Sequence, residues 1–160
     1  MFQTPQISIV IPVYRAENTL WPLFNQIKTA LTDLNFEVIL VDDCGGDNSW
    51  DVIDSICTKH PEAKGLRLSR NFGQHAAITA GLERASGEYV VVMDCDLQDD
   101  PSELPKLYKH ITEENLDIVL ARRVKRQDGF KNATTIAELL KNEKLQSSLK
   151  NGVIWLDEAG

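Results

Sequence analysis

The sequence predicts an α/β domain built on a mostly parallel β-sheet, and three observations carry this prediction. Short apolar runs rich in β-branched residues recur along the chain, and they alternate with segments whose apolar residues repeat at helical spacing. The runs are nearly continuous in apolar character, which is typical of strands buried on both faces of a parallel sheet. At 160 residues, the chain has the length of one ordinary domain. Strands that alternate with helices therefore favour the α/β class.

The first part of the chain predicts a strand, a helix and a second strand. The β-branched run over 7–13 predicts the first strand. Asn18 is a favourable helix N-cap, and the apolar stripe over 20–31 predicts the helix that follows it. A second apolar run over 36–41 predicts the second strand.

The middle of the chain continues the same alternation. A glycine-rich turn ending at Asn48 predicts the start of a second helix, which we expect to stop before Pro61. A weaker apolar pattern over 66–68 predicts a third strand. The alanine-rich stretch over 76–85 predicts a helix, because alanine has the highest helix propensity. The run over 89–93 is the clearest strand in the chain.

Later elements follow less regular patterns. Pro101 is expected to open another helix, because proline is favoured at the first helical position. A short strand is expected over 118–120. The stretch over 132–151 has a polar, helical pattern, and a final apolar run occupies 153–156.

Composition and charge exclude several classes of protein. A formal net charge of -7 argues against a nucleic-acid partner bound by broad charge neutralisation. No apolar run approaches the roughly 20 residues that span a bilayer, and no signal-peptide pattern is visible at the N-terminus. The three cysteines have no paired spacing, which indicates a reducing compartment. We therefore expect a cytoplasmic location.

Polar residues stand at the carboxyl ends of three predicted strands. They are Tyr14, the pair Asp42 and Asp43, and the pair Asp94 and Asp96. In parallel sheets these ends meet at one edge, where ligands bind. Two hard oxygen ligands in this position suit Mg²⁺ or Mn²⁺. Phosphate groups of a substrate would complete the coordination shell of the ion. The alternatives are a solvated acidic turn for the second pair and helix capping for the first.

Two further features have a functional and a structural interpretation. The Tyr14 ring could stack on a flat ring of a ligand, or it could simply be a packing residue at the end of the strand. A basic run over 122–126 could bind phosphate through its guanidinium groups, or it could form a solvated surface.

Four motifs, in this order along the chain, resemble the family 2 glycosyltransferases of GT-A fold. They are IVIPVY over 9–14, VDD over 41–43, LSRNFGQHAAITAG over 68–81 and MDCDLQ over 93–98. The third, together with the end of the fourth, is similar to the branch that includes dolichol-phosphate mannosyltransferases and bacterial undecaprenyl-phosphate sugar transferases. The resemblance covers about residues 6–130.

The resemblance implies an inverting, metal-dependent transfer from a UDP- or GDP-sugar to a lipid phosphate, with Mg²⁺ or Mn²⁺ as cofactor and possible association with a membrane surface. The implied nucleotide-site residues are Pro12, Tyr14, Glu17, Asp42, Asp43 and Gln98. The implied catalytic residues are Asp94 and Asp96, which would also hold the metal, together with Arg123 and Arg126, which would face phosphate groups. Relatives often carry an acid two residues after the tyrosine; here Ala16 stands there and Glu17 follows it.

We divide the chain into a GT-A nucleotide-sugar-binding domain over 1–131 and a tail over 132–160 that departs from the family pattern. Family members continue with an acceptor-side segment, so we expect a GT-A domain truncated at its C-terminus, with a fused or frameshifted segment as our hypothesis for the tail. Two alternatives stay open: a catalytically incompetent fragment that binds nucleotide only, and a nucleotidyltransferase on a related fold. The second would need a glycine-rich phosphate loop after the first strand, where YRAE stands instead.

Overall fold

A six-stranded parallel sheet organises the computed structural model, which describes residues 4–122 and 152–157. Its elements in chain order are β1 (Ile7–Val13), α1 (Leu20–Ala30), β2 (Phe36–Asp42), α2 (Ser49–Lys59), β3 (Ala63–Arg67), α3 (Gln74–Leu82), β4 (Tyr89–Val92), a 3-10 turn (Pro101–Glu103), α4 (Leu104–Glu113), β5 (Ile118–Arg122) and β6 (Gly152–Asp157). The strand order is β3-β2-β1-β4-β6-β5, and every neighbouring pair is parallel. The predicted α/β class is confirmed. None of the helices within these described residues has the length and apolar character needed to cross a bilayer.

Helices cover both faces of the sheet and produce three layers. On one face, α1, α2 and α4 bury Phe24, Ile53 and Ile111 in a core shared with Ile9 of β1. On the other face, α3 packs over a smaller core that contains Val10. Because both faces are covered, the central strands are apolar along almost their whole length, as the continuous apolar runs predicted.

The last described strand, β6, lies inside the sheet. It pairs with β4 on one side, where Trp155 lies opposite Val92, and with β5 on the other, where Val153 lies opposite Ile118. The apolar run over 153–156 therefore forms a strand. The predicted helix over 132–151 and the boundary between residues 131 and 132 lie outside the described residues, so the division into two segments stays a prediction.

The entries into two helices differ from the sequence expectation. The N-cap residue of α1 is Thr19 rather than the predicted Asn18. The carbonyl of Ala16 accepts hydrogen bonds from the Thr19 N–H at 3.0 Å and from the Thr19 hydroxyl at 3.2 Å. This turn brings Thr19 to the N-cap position. Pro101 opens a single 3-10 turn, and α4 begins after it at Leu104.

The bounds of β3 and α3 also differ. The strand covers Ala63–Arg67 instead of 66–68, because its backbone pairs with β2 although its side chains are mostly polar or exposed. The helix begins at Gln74, directly after Gly73. The φ of Gly73 is +94°, so the backbone turns sharply at this glycine before the helix starts. It ends at Leu82, earlier than the alanine-rich composition indicated.

Candidate functional site

A cleft of about 320 Å³ opens at the carboxyl edge of the sheet. Its lining residues are Pro12, Val13, Tyr14, Asp43, Asn71, Gly73, Gln74, Asp94, Cys95 and Asp96. The chain leaves β1, β2 and β4 at this edge, because these strands are parallel neighbours. The loop between β3 and α3 supplies the remaining wall. The sequence-predicted residues that meet here are Pro12, Tyr14, Asp43, Asp94 and Asp96.

Sharp backbone turns follow the three strands that end at the cleft. Arg15, Cys44 and Leu97, which lie in the loops after β1, β2 and β4, have φ values of 50°, 54° and 65°. The left-handed region costs a non-glycine residue about 1–2 kcal/mol. Strain of this kind concentrates where a functional arrangement is stabilised by its surroundings. The turns redirect the chain at the points where the cleft residues stand.

Asp43 fixes the loop that forms the far wall of the cleft. Asp43 is buried, and each of its two carboxylate oxygens accepts a hydrogen bond from a backbone N–H group. Oδ1 accepts from Phe72 at 2.8 Å, and Oδ2 accepts from Gly73 at 3.0 Å. A buried carboxylate needs such donors to offset its lost hydration. Asp43 therefore connects the end of β2 to the start of α3.

The carboxylates after β4 are also hydrogen-bonded. Asp94 Oδ1 accepts from the side-chain amide Nε2 of Gln74 at 2.8 Å. Asp96 Oδ1 accepts the backbone N–H of Gln98 at 2.9 Å, although Gln98 itself does not line the cleft. Gln74 was not among the predicted site residues. The signal that could have found it was its place within the motif over 68–81.

Asp42 and Glu17 lie outside the cleft lining. Asp42 is buried and pairs with Arg67, whose Nε lies 3.2 Å from Oδ2. Burial raises the pKa of Asp42, and the nearby Arg67 charge offsets part of this rise. Glu17 Oε2 accepts the backbone N–H of Asn48 at 2.8 Å, which ties the loop after β1 to the start of α2.

The described lining of the cleft is acidic. It contains the carboxylates of Asp43, Asp94 and Asp96, and among its described residues it contains neither lysine nor arginine. The basic residues Arg123 and Arg126, predicted to face phosphate groups, lie outside the residues that the structure describes. A phosphate group entering this part of the cleft would therefore meet negative charge.

Tyr14 and Cys95 complete the chemistry of the lining. Tyr14 is 46% exposed at the mouth of the cleft, and the guanidinium carbon of Arg15 lies 5.2 Å from its ring centroid. Burial raises the pKa of the Cys95 thiol; a hydrogen bond from the Tyr14 backbone opposes this, and the charges of Asp94 and Asp96 add to the rise. The thiol is therefore protonated near neutral pH and is a poor nucleophile.

The pair Asp94 and Asp96 fits a divalent cation only if a substrate completes the shell. In the described parts of the chain, no group of three or more His, Cys, Asp or Glu side chains could hold a metal ion. Mg²⁺ is commonly bound by one or two carboxylates together with waters and substrate phosphates. Asp94 and Asp96 stand two residues apart in a lining whose described residues include no lysine or arginine, which agrees with a site of this kind.

The family model and the curated relatives that match this chain all describe sugar transferases. The family model described as "Glycosyl transferase family 2" matches residues 8–156. The chain is 39% identical over 145 residues to the undecaprenyl-phosphate 4-deoxy-4-formamido-L-arabinose transferase of Aeromonas hydrophila subsp. hydrophila, a match that covers 89% of this chain and 44% of that protein. The protein of the same description from Serratia proteamaculans is 38% identical over 140 residues, covering 84% of this chain and 43% of the relative. The chain thus spans less than half the length of these relatives.

Solved structures share the fold. S. aureus TarS 1-349 in complex with UDP has a TM-score of 0.63 and 25% identity, over 79% of this chain and 38% of that chain. The mannosyltransferase PcManGT from Pyrobaculum calidifontis, in complex with GDP-Man and Mn2+, has a TM-score of 0.59 and 21% identity, over 76% of this chain and 36% of that chain. These similarities confirm the predicted GT-A fold.

Proposed function

The chain belongs to glycosyl transferase family 2, and from this premise we propose that it forms the donor-binding part of an enzyme that transfers a sugar from a nucleoside diphosphate sugar to a polyprenyl phosphate. The observation that carries the proposal is the acidic cleft at the carboxyl ends of β1, β2 and β4. The transfer is metal-dependent and inverts the anomeric centre. The chain acts at a membrane surface, because its acceptor is a lipid, and on the cytoplasmic side, because its three cysteines have no paired spacing.

The acidic lining makes a cation part of donor recognition. A diphosphate would be repelled by Asp94 and Asp96 in a lining whose described residues carry no positive side chain. A bound Mg²⁺ or Mn²⁺ would reverse the local charge and stabilise the departing nucleoside diphosphate. Asp94 and Asp96 are the residues that would hold this ion. Arg123 and Arg126 add phosphate contacts in the same proposal.

The wall around Tyr14 and Asp43 receives the nucleoside. Tyr14 has a half-exposed ring at the mouth of the cleft, and aromatic rings of this kind stack on flat bases. Pro12 and Asp43 lie beside it in the lining. TarS, at 25% identity, was solved with UDP, which supports a uridine nucleotide as the first donor to test.

A phosphate acceptor suits this cleft, because the proposal gives none of its described carboxylates the role of a general base. An oxygen of the acceptor phosphate is ionised near neutral pH and forms the new bond to the anomeric carbon from the face opposite the leaving group. The bond from that carbon to the diphosphate oxygen breaks, and the nucleoside diphosphate departs with the electron pair. No proton has to be removed from the nucleophile. The curated relatives are described as undecaprenyl-phosphate transferases, which supports this acceptor class.

Calorimetry with UDP and GDP, with and without Mn²⁺, tests the donor site. We expect Mn²⁺ to raise nucleotide affinity at least about tenfold, or about 1.4 kcal/mol. Asp94→Ala and Asp96→Ala should each abolish this increment. Asp33→Ala, an exposed residue between α1 and β2, is the matched control and should retain it. Nucleotide affinity that does not respond to Mn²⁺ in the wild-type chain would contradict the proposal.

A transfer assay then tests the acceptor. UDP- and GDP-sugars are incubated with a short polyprenyl phosphate and Mn²⁺, and the expected product is the polyprenyl phosphate sugar. Metal-dependent nucleotide binding without any product would favour the alternative of a nucleotide-binding fragment.

A further inference from the structure

We propose that Gln74 is a positioning residue for the carboxylate of Asp94, and that the loop between β3 and α3 links the acidic ends of β2 and β4. This role rests on the proposed function, in which Asp94 meets the cation bound to the donor diphosphate. Gln74 itself does not contact the cation. It sets the orientation in which Asp94 receives the ion.

The first step of the inference is the contact between the two side chains. Gln74 is the first residue of α3, and its Nε2 donates to Asp94 Oδ1 at 2.8 Å. Both residues line the cleft. An amide donor on one oxygen restricts the rotation of the carboxylate plane. Carboxylates that ligate metals are commonly held by hydrogen bonds of this type, and the donors affect metal affinity without touching the metal.

The second step is the anchoring of the loop that carries Gln74. The backbone N–H of Gly73 donates to Asp43 Oδ2 and to Asn71 Oδ1, each at 3.0 Å. The N–H of Phe72 donates to Asp43 Oδ1 at 2.8 Å. These bonds fix the backbone immediately before Gln74. The positive φ of Gly73, +94°, favours glycine at this turn.

A continuous chain of contacts therefore crosses the cleft. It begins at the carboxylate of Asp43, the first residue after β2, and passes through the backbone of Phe72 and Gly73. It ends where the side-chain amide of Gln74 donates to Asp94. In the proposed function Asp43 lies on the nucleoside side and Asp94 on the diphosphate side. The loop thus couples the geometry of the two halves of the donor site.

The consequence is measurable as cation affinity. Without the amide, the Asp94 carboxylate samples more orientations and loses entropy when the ion binds. Loss of an outer hydrogen-bond partner typically lowers metal affinity by about 10- to 100-fold. Because this bond is exposed, we expect the lower end, about tenfold. UDP affinity measured without metal should not change, because Gln74 acts through Asp94.

The test titrates Mn²⁺ into the full chain saturated with UDP, with a separate UDP titration in the absence of metal. Gln74→Leu keeps a similar side-chain volume and removes the donor. Gln74→Asn keeps the amide and shortens its reach, so the same loss is expected. Gln26→Leu, an exposed position on α1, is the matched control and should bind Mn²⁺ as the wild-type chain does.

Each outcome separates the positioning role from the proposed function. A tenfold loss of Mn²⁺ affinity in Gln74→Leu, with metal-free UDP affinity unchanged, supports the positioning role. Unchanged Mn²⁺ affinity in that variant overturns the role and leaves the proposed function standing. Equal losses of Mn²⁺ and metal-free UDP affinity also overturn it, because they indicate a general distortion of the cleft. Failure of the wild-type chain to bind Mn²⁺ with UDP overturns both.

Discussion

Asp42 and Asp43 show how neighbouring residues acquire different roles. Both stand at the end of the second predicted strand, but successive side chains of a strand point to opposite sides. Asp42 turns to Arg67 of β3, whereas Asp43 lines the cleft and holds the loop that begins α3. The sequence predicts that carboxylates gather at this edge. Which of the two faces the cleft depends on where β2 ends, and the sequence pattern does not specify this to one residue.

Glu37 is a buried charge at the opposite edge of the sheet. Its Oε1 accepts the hydroxyl of Ser8 at 2.5 Å and the backbone N–H of Ser86 at 2.7 Å, and its Oε2 pairs with Lys64. Burial acts to raise the pKa of Glu37, but the Lys64, Ser8 and Ser86 hydrogen bonds together hold it below its ordinary 4.5. This cluster joins β1, β2 and β3 to the loop before β4.

We expect Glu37→Gln to change the pH dependence of stability. Below the ordinary pKa of 4.5, the unfolded chain protonates this carboxyl before the folded chain does. Its contribution is therefore fully present above pH 4.5 and is lost as the pH falls through the lower, folded-state pKa. The variant should flatten this decline and lower the free energy of unfolding near neutral pH by about 1–3 kcal/mol.

Urea unfolding across the acid range measures both effects. Lys64→Met is the comparison: the Lys64 side chain is 52% exposed, and Ser8 and Ser86 still donate to Glu37 in this variant, so the loss should be smaller. An identical pH slope in Glu37→Gln and the wild-type chain would show that Glu37 does not have the lowered pKa.

At the scale of elements, α3 owes its position to a close approach to the sheet. A Cβ atom at Gly81 would lie 2.4 Å from Val10 Cγ1 and 3.1 Å from Val41 Cγ2. Contacts this short require the helix or the strand to shift. The small residues of α3 thus allow the helix to sit directly on β1 and β2, with Gln74 at the cleft.

Gly81→Ala is therefore expected to destabilise the chain although alanine favours helices. The gain in helix propensity is about 1 kcal/mol, and the cost of overpacking is about 1–3 kcal/mol. We expect a net loss of about 1 kcal/mol in urea unfolding. Displacement of α3 should also weaken the Mn²⁺ affinity of the UDP complex. A more stable variant would contradict the close packing of α3.

Asp43→Asn tests the loop as a connecting element. The amide nitrogen of Asn would face one of the two N–H groups, that of Phe72 or that of Gly73, so one of the two anchoring bonds is lost. We expect Mn²⁺ affinity at saturating UDP to fall, although Asp43 is not placed at the cation. In a double-mutant cycle with Gln74→Leu, the losses should be less than additive. Full additivity would mean that the two residues act independently.

The order of the described elements follows from apolar periodicity, but several bounds do not. The runs over 7–13, 36–41 and 89–93 predict strands because they are buried on both faces. By contrast, β3 is recognised only by its backbone pairing with β2. The start of α1 depends on the turn around Ala16 and Thr19, whose hydrogen bonds the apolar stripe does not record.

For the molecule as a whole, β6 holds one side of the sheet together. Among the described strands, β5 reaches the rest of the sheet only through β6, which lies between it and β4. A strand from the C-terminal part of the chain therefore completes a sheet whose other described strands precede residue 123. The family model also extends to residue 156 and includes most of β6.

A chain ending at Lys131 tests this contribution. Its β5 would lose its partner, and β4 would expose an unpaired edge. Because the whole stability of a domain is about 5–15 kcal/mol, we expect a large loss, of several kcal/mol, seen as a lower unfolding temperature and increased aggregation. An unchanged unfolding temperature would mean that residues 132–160 are dispensable for the sheet, as expected of a segment outside the family domain.

The sequence predicts all three carboxylates of the cleft lining, because the strands they follow are parallel and end at one edge. It did not identify Asn71, Gly73 and Gln74 as lining residues, because they follow β3, the strand with the weakest pattern. The contact of Gln74 with Asp94 depends on the packing of α3 and on the two bonds from the loop to Asp43, which form only in the assembled domain.

The most direct test of the donor site is a crystal structure of the chain soaked with UDP or GDP and Mn²⁺. The anomalous difference density of manganese locates the ion. We expect one Mn²⁺ peak between the nucleotide diphosphate and the carboxylates of Asp94 and Asp96, with the base against Tyr14 and beside Asp43. Nucleotide bound elsewhere, or a Mn²⁺ ion that contacts neither carboxylate, would contradict the assignment of this cleft as the donor site.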